Sequence, residues 1–358
     1  MAFIKKNGIW LALFLMVFFL TIKTNGDFLS ARNITNLIRQ TSINGILACG
    51  MTLVILTGGI DLSIGSVVGM TGVLVGLSQI NWGLAQMGLT GAWMSALLSV
   101  AFGTLAGGIN GGLIAYLGIT PFIVTLGTMV IARGMALIFS GGTSIAPLGE
   151  SVANLSMEYL NPQLSWAILA ISLIIFLGFF RRDLKDKIFL IITLLFISYG
   201  FMGFQGVPYL GLMFFFTVAF CGWLLKYTVL GRSVYAVGSN ERAALWAGVP
   251  TARIKFFVYT FIGFLAGLCG VLTASRINGA NPNEGQLFEL DAIAAVVIGG
   301  TRLTGGVGTI LGTFVGALTI ATLNNGMDHL GVPDFYRMVF KGLIIILAVG
   351  LDKAQRNN

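Results

Sequence analysis

Residues 61–133 read DLSIGSVVGM TGVLVGLSQI NWGLAQMGLT GAWMSALLSV AFGTLAGGIN GGLIAYLGIT PFIVTLGTMV IAR, with no Asp, Glu, Lys or Arg between Asp61 and Arg133. As helix, rising about 1.5 Å per residue, this stretch crosses a hydrocarbon core of about 30 Å several times. It carries no alternating apolar and polar pattern of the kind an outer-membrane barrel needs. Helices satisfy their own backbone polar groups within lipid, so the stretch reads as membrane helices.

The rest of the chain agrees. Of its 358 residues 56% are hydrophobic and 9% are charged, against about 25% charged in a soluble domain. Such a chain has too little polar surface to face water, and the expected class is all-α, a polytopic transmembrane bundle forming a single domain over residues 1–358. Apolar runs lie near 9–22, 42–59, 62–79, 92–114, 121–139, 164–180, 188–204, 208–225, 254–274, 290–300, 308–326 and 335–351, giving ten to twelve helices. The run 290–300 is short for a straight crossing and predicts a broken or re-entrant helix, tolerated where protein or water covers its backbone.

The net charge of +8 sits mainly in short loops. With the N-terminus inside, Arg181–Lys187, the 226–253 loop and the tail with Lys353 and Arg356 are cytoplasmic, whereas the loops holding Glu150, Glu158, Glu284 and Glu289 are outside. This is the positive-inside pattern, not a nucleic-acid footprint. It implies a multi-pass membrane protein. Lys5 and Lys6 before the apolar run 9–22 resemble a signal peptide, but no small-residue cleavage site follows, and the expectation is a retained first helix. The external Lys23, Arg32 and Arg39 depart from the charge rule. Leu29–Arg39 is therefore expected to be an amphipathic helix lying in the interface.

Glycine is the commonest punctuation. Pairs four apart, such as Gly103/Gly107, Gly107/Gly111, Gly263/Gly267 and Gly312/Gly316, predict close helix packing. Two glycine breaks echo one another: Thr57-Gly58-Gly59-Ile60-Asp61-Leu62-Ser63-Ile64-Gly65 and Ile298-Gly299-Gly300-Thr301-Arg302-Leu303-Thr304-Gly305-Gly306. Paired glycine-interrupted segments form a pseudo-repeat that points to a central transport site. Asp61 and Arg302, of opposite sign at equivalent steps, are expected to pair or to line the path. Arg133, embedded in an apolar run, reads first as a group neutralised by a neighbouring helix end and second as a solute contact. Cys49, Cys221 and Cys269 have no ligand spacing and read as packing residues. His329 reads as a loop residue, and no metal site is expected.

In the long inner loop, Ser239 or Asn240 caps a short helix bearing Glu241, Arg242, Ala243, Ala244 and Ala247, which Gly248 and Pro250 end. A capped helix with an alanine face suits docking into a groove of a cytoplasmic partner. This segment resembles the coupling loop of ATP-binding-cassette importer permeases. Gly45–Thr52 with Thr57–Ser66, Thr120–Thr128, Leu290–Thr301 and Leu323–Met327 are similar to the ribose/xylose/galactose-type branch of that family, in order along most of the chain. The resemblance implies a permease paired with a second copy or paralogue, two cytoplasmic ATPases and a periplasmic sugar-binding protein. It implies ATP on the partner subunits, with no cofactor on this chain. It also implies alternating access, with Asn240 through Gly248 carrying the force. Asp61, Asn110 and Phe122 are the residues expected along the sugar path, beside Arg133 and Arg302. The stretch 164–204 departs from the shorter members of the branch and reads as an added helix pair.

No G-x-x-x-x-G-K-[ST], H-E-x-x-H, G-x-S-x-G or C-x-x-C occurs, so neither ATP binding by this chain nor an enzyme is expected. The alternative is an ion-gradient-driven transporter of a small polar solute. It would need more acidic groups within the membrane and no docking helix.

Overall fold

Every residue from Gly45 to Leu56 is buried, on all sides of one helix. A helix apolar all round belongs at the centre of a bundle, and this one is packed by four others. The computed structural model describes residues 2–161, 163–167, 170, 171, 174, 191, 195, 197–201, 203–333, 335–343, 346 and 350. Numbered in chain order, its principal helices begin with α1 (Ala2–Lys23), the central α2 (Ala31–Leu56) and α3 (Ile64–Gly76), which continues into a π turn. Next come α4 (Gly88–Ala115), α5 (Pro121–Ser140) and α6 (Glu150–Met157). The second half has α7 (Tyr209–Tyr227), α8 (Val229–Ser239), α9 (Glu241–Trp246), α10 (Thr251–Ile277), α11 (Phe288–Ile298) and α12 (Ile310–His329). Helices α7, α10, α11 and α12 surround α2.

The chain is an all-helical polytopic bundle. Six of its described helical stretches are long and apolar enough to cross a bilayer: Ile64–Asn81, Leu84–Ala115, Pro121–Ser140, Tyr209–Tyr227, Thr251–Ile277 and Ile310–His329. On α4 and α5 an exposed apolar face, including Leu97, Leu105, Ile109, Ile123, Val130 and Ile138, is left for lipid. The short run near 290–300 is α11, a helix of 11 residues. At about 1.5 Å per residue it reaches only about half of a 30 Å core. Most of the 164–204 segment lies outside the described residues.

The interfacial helix expected over Leu29–Arg39 is not found. Leu29 ends a short 3-10 turn, Ser30 caps α2, and residues 31–39 are the entry turns of α2, which runs 26 residues without a break. The reason is polar partnering across the fold. Asn33 Nδ2 donates to the Phe28 carbonyl at 2.9 Å and to Asn325 Oδ1 at 3.0 Å, while Thr35 Oγ1 donates to the Gly200 carbonyl at 3.0 Å. Arg39 donates to the Tyr159 hydroxyl at 3.1 Å, so one of the misfitting positive charges has a partner on the outer surface.

The glycine ladders do what lipid requires of them. A β-carbon on Gly103 would sit 2.6 Å from the Gly263 carbonyl oxygen and 2.7 Å from Gly267 N; one on Gly263 would sit 2.4 Å from the Gly103 oxygen. Helices α4 and α10 therefore touch backbone to backbone. Between α11 and α12, a β-carbon on Gly316 would meet the Ala295 oxygen at 1.9 Å. Apolar side chains gain little by leaving lipid for one another, so this close approach supplies the packing energy.

Gly103→Val is expected to lower stability by about 1–3 kcal/mol or more through overpacking. Gly112→Val is the control on the same helix, because nothing lies within 4 Å of its β-carbon position. Melting of the purified variants in detergent checks this. Gly103→Val should melt well below the parent and Gly112→Val close to it.

Candidate functional site

Both glycine breaks end their helices in the same way. At the first, Gly58 N–H donates to the Ile55 carbonyl at 2.9 Å and Gly59 N–H to the Val54 carbonyl at 3.1 Å. At the second, Gly300 N–H donates to Val297 at 2.9 Å and Thr301 N–H to Val296 at 3.1 Å. These are paired Schellman bonds, and Gly58 and Gly300 supply the left-handed residue each needs, at φ 81° and 85°. The structural match is offset by one residue from the match of the letters, where Gly58 aligns with Gly299.

The two breaks meet. Gly306 N–H donates to the Leu56 carbonyl at 3.0 Å, satisfying a helix-end oxygen of α2 from the second break. The C-terminal turn of α8 lies on the same spot. A β-carbon on Gly238 would fall 1.7 Å from the Leu56 oxygen and 2.6 Å from Gly306 N. One turn earlier, Tyr235 Oη donates to the Gly308 carbonyl at 2.9 Å. Three segments far apart in sequence thus share one junction at the inner face.

Asp61 follows the first break and is buried. Its Oδ1 accepts from Ser63 N–H at 2.8 Å and from Ser63 Oγ at 2.6 Å, at the start of α3. A carboxylate is favoured at this positive helix end. Asn110 Nδ2 donates to Ser63 Oγ at 3.1 Å, and Thr128 Oγ1 donates to Asn110 Oδ1 at 2.5 Å. Asp61, Ser63, Asn110 and Thr128 form a polar staple that ties the break to α4 and α5. Beside it, Tyr259 projects its buried hydroxyl toward Gly59, where a β-carbon would meet it at 2.2 Å.

The expected Asp61–Arg302 pair is corrected by this geometry. Arg302 is exposed in the neighbouring loop, and no ion pair joins it to Asp61 among the described residues. The buried carboxylate already holds local hydrogen bonds, whereas the guanidinium stays in water. Nor does the structure bring the five expected pathway residues together in one place. Asp61 and Asn110 share the staple, and Phe122 is 54% exposed at the start of α5. Arg133 lies further along α5 and donates to the backbone carbonyls of Pro282 and Glu284, in the outer loop before α11. These carbonyls belong to a loop and not to the neighbouring helix end that the sequence suggested. In that loop burial pushes the Glu284 carboxyl up, and Arg276 and Arg133 oppose the shift.

A cavity of about 510 Å³ opens between the outer parts of α2, α10, α11 and α12 and the helix that contains Lys341. Its polar wall includes Asn44, Arg276, Glu284, Asp291, Asn324 and Lys341. Asp291 is buried and accepts from Lys341 Nζ at 2.9 Å and from Asn44 Nδ2 at 3.2 Å. None of these was expected as a site residue. Asp291 and Asn324 do lie inside the motif stretches that carried the resemblance, and Asp291 is a charge within a short apolar run.

Comparison with known proteins then decides the family. A family model described as "Branched-chain amino acid transport system / permease component" matches residues 33–349. The chain belongs to this permease family. Over 98% of its length it is 37% identical to a ribose import permease of Bacillus subtilis, covering 93% of that protein. It is 34% identical to xylose transport permeases of Haemophilus influenzae and Escherichia coli, over 97% and 96% of its length and 95% and 91% of theirs. No solved structure matches it. It is a multi-pass protein of the bacterial inner membrane.

In this permease the inner-loop helix is α9. Asn240 Oδ1 accepts from Ala243 N–H at 3.0 Å as its cap, and Glu241 accepts from Lys255 Nζ at 2.6 Å, fixing it to α10. Gly248 turns the chain at φ 83°. The alanine face divides: Ala244 is buried against the chain, whereas Arg242, Ala243 and Ala247 are exposed. The exposed tip also carries Leu245 and Trp246, the latter 86% exposed. Those two large apolar residues were not expected in the docking face, although the sequence places them inside the same six-residue helix.

Asp61→Ala should cost about 1–3 kcal/mol, because it leaves Ser63 N–H and Oγ without their acceptor. Asp61→Asn should cost clearly less, since its amide oxygen still accepts from both. Thermal melting of the two variants measures the difference, and equal losses would contradict the staple.

Proposed function

We propose that this permease forms the membrane path of an ATP-dependent, binding-protein-dependent sugar importer. It works as one of two permease chains, with a second copy or a paralogue as partner. Cytoplasmic ATPases bind and hydrolyse ATP, a periplasmic binding protein delivers the sugar, and this chain itself holds no ATP. The near-full-length similarity to ribose and xylose permeases supports the sugar class. The observation that carries the coupling is the contact of α8 with both glycine breaks, immediately beside the exposed α9 tip.

The mechanism follows from those contacts. Ala243, Leu245, Trp246 and Ala247 offer an apolar knob that an ATPase groove can grip, with Arg242 at its edge. The connection from α9 to α8 is a single residue, Asn240, and α8 ends on Leu56 and Gly306. Displacing the knob therefore loads the ends of α2 and α11, where glycines allow the backbone to turn. The Asp61–Ser63–Asn110–Thr128 staple keeps α3, α4 and α5 together while this happens. Alternating access is then a change in how the two breaks meet, sealing the path on one side and opening it on the other. Exposed Arg302 and Phe122 take no part in the staple and stand at the inner rim.

The test is uptake of labelled ribose, xylose or galactose into vesicles. The permease is reconstituted with and without its ATPase, the binding protein and ATP. Uptake requiring all three is the expected result. Uptake driven by a proton or sodium gradient alone would overturn the reading.

A further inference from the structure

The outer cavity combines three properties. First, its lining charges balance, three acids against three bases. Asp291 holds Lys341, Asp328 holds Arg337, and Glu284 faces Arg276 and Arg133. Second, two wall residues carry buried oxygens with no donor, Asn44 Oδ1 and Asn324 Oδ1. A buried acceptor left unsatisfied is costly, and native structures contain few. Third, one side of the wall is apolar, with Ala317, Ile320 and Ala321 from α12. The volume of about 510 Å³ falls within the range of about 300–1,000 Å³ usual for small-molecule pockets.

Together these properties select a ligand class. A carboxylate accepts hydroxyl protons, an ammonium donates to hydroxyl or ring oxygens, and an asparagine amide does both. Bonds to the charged groups are the stronger ones in a protected site. The Asn44 and Asn324 oxygens lie just behind the wall, and a hydroxyl that reaches them as the wall relaxes supplies the donor they lack. The apolar strip suits the C–H face of a sugar ring.

We propose that this cavity is a binding site within the permease for an uncharged, hydroxyl-rich solute, held by Asn44, Asp291 and Lys341. The proposal rests on the importer reading above and deepens it: the permease itself holds the sugar, in addition to any selection by a binding protein. Position supports this. The cavity lies toward the outer end of the bundle, and on its inner side Gly316 of α12 closes against the Ala295 carbonyl. Solute received from outside therefore waits above the packing that must open.

The experiment uses the full-length permease in lipid nanodiscs, with labelled ribose, xylose and galactose as probes and leucine as competitor. Binding is compared with that of Asp291→Asn/Lys341→Gln, which removes both charges together and leaves neither unpaired, and with that of Asn44→Ala. Saturable binding of at least one sugar is expected, undisturbed by leucine and weakened about tenfold or more in both variants. A melting curve for each variant confirms its fold, and Asn44→Ala decides alone if the double variant does not fold. The proposal is overturned if no sugar binds saturably, if leucine displaces the sugar, or if folded variants bind as the parent does. If those negatives occur while vesicle uptake stays ATP-dependent, only this site is lost. Absence of ATP-dependent sugar uptake would remove the importer reading itself.

Discussion

A backbone carbonyl that leaves a helix within a membrane must find a donor, because lipid supplies none. Leu56 at the end of α2 meets that demand through Gly306 N–H, from a segment 250 residues away in the chain. The remaining geometry of the inner face follows. The two breaks must lie side by side for the bond to form, and positions 305 and 306 must be glycine because each adopts positive φ, at 86° and 73°. Gly238 must be glycine for a different reason, since any β-carbon there would collide with the same carbonyl. One unsatisfied oxygen thus fixes the meeting point of α2, α8 and the second break.

Around that point the bundle is held by two kinds of contact. Glycine ladders bring α4 against α10 and α11 against α12 at backbone distance, where dispersion replaces the hydrophobic drive that lipid removes. Polar staples set the angles: Asp61 through Thr128 at the inner ends of α3 to α5, and Asn33 with Asn325 at the outer ends of α2 and α12. The cavity occupies the region between these two levels. A rigid frame with glycine joints is well suited to exchanging one discrete packing for another, as interfaces of this kind switch between states and do not deform smoothly.

Much of this was legible in the sequence, for identifiable reasons. Glycine declares itself, because few other residues tolerate a left-handed cap, so the breaks at Gly58 and Gly300 and the short α11 could be anticipated. The Asn240 cap and the Gly248 stop are local signals, and they located α9. Long-range partnering was not legible. Asp61 and Arg302 carry opposite charges at matching steps, but Ser63, two residues away, satisfies Asp61 first. The Leu29–Arg39 stretch looked amphipathic only because its partners, Gly200 and Asn325, lie more than 150 residues off. Asn44, Asp291 and Lys341 come from three separate segments, and no spacing rule joins them.

The central claim is that motion at the α9 tip reaches the membrane path through the contact of Gly238 with Leu56 and Gly306. The most direct measurement is the ratio of sugar transported to ATP hydrolysed for Gly238→Ala, in vesicles containing the ATPase and binding protein. The account predicts that hydrolysis continues while transport per ATP collapses, because the added methyl group forces the junction apart. Transport per ATP equal to that of the unaltered protein would contradict it.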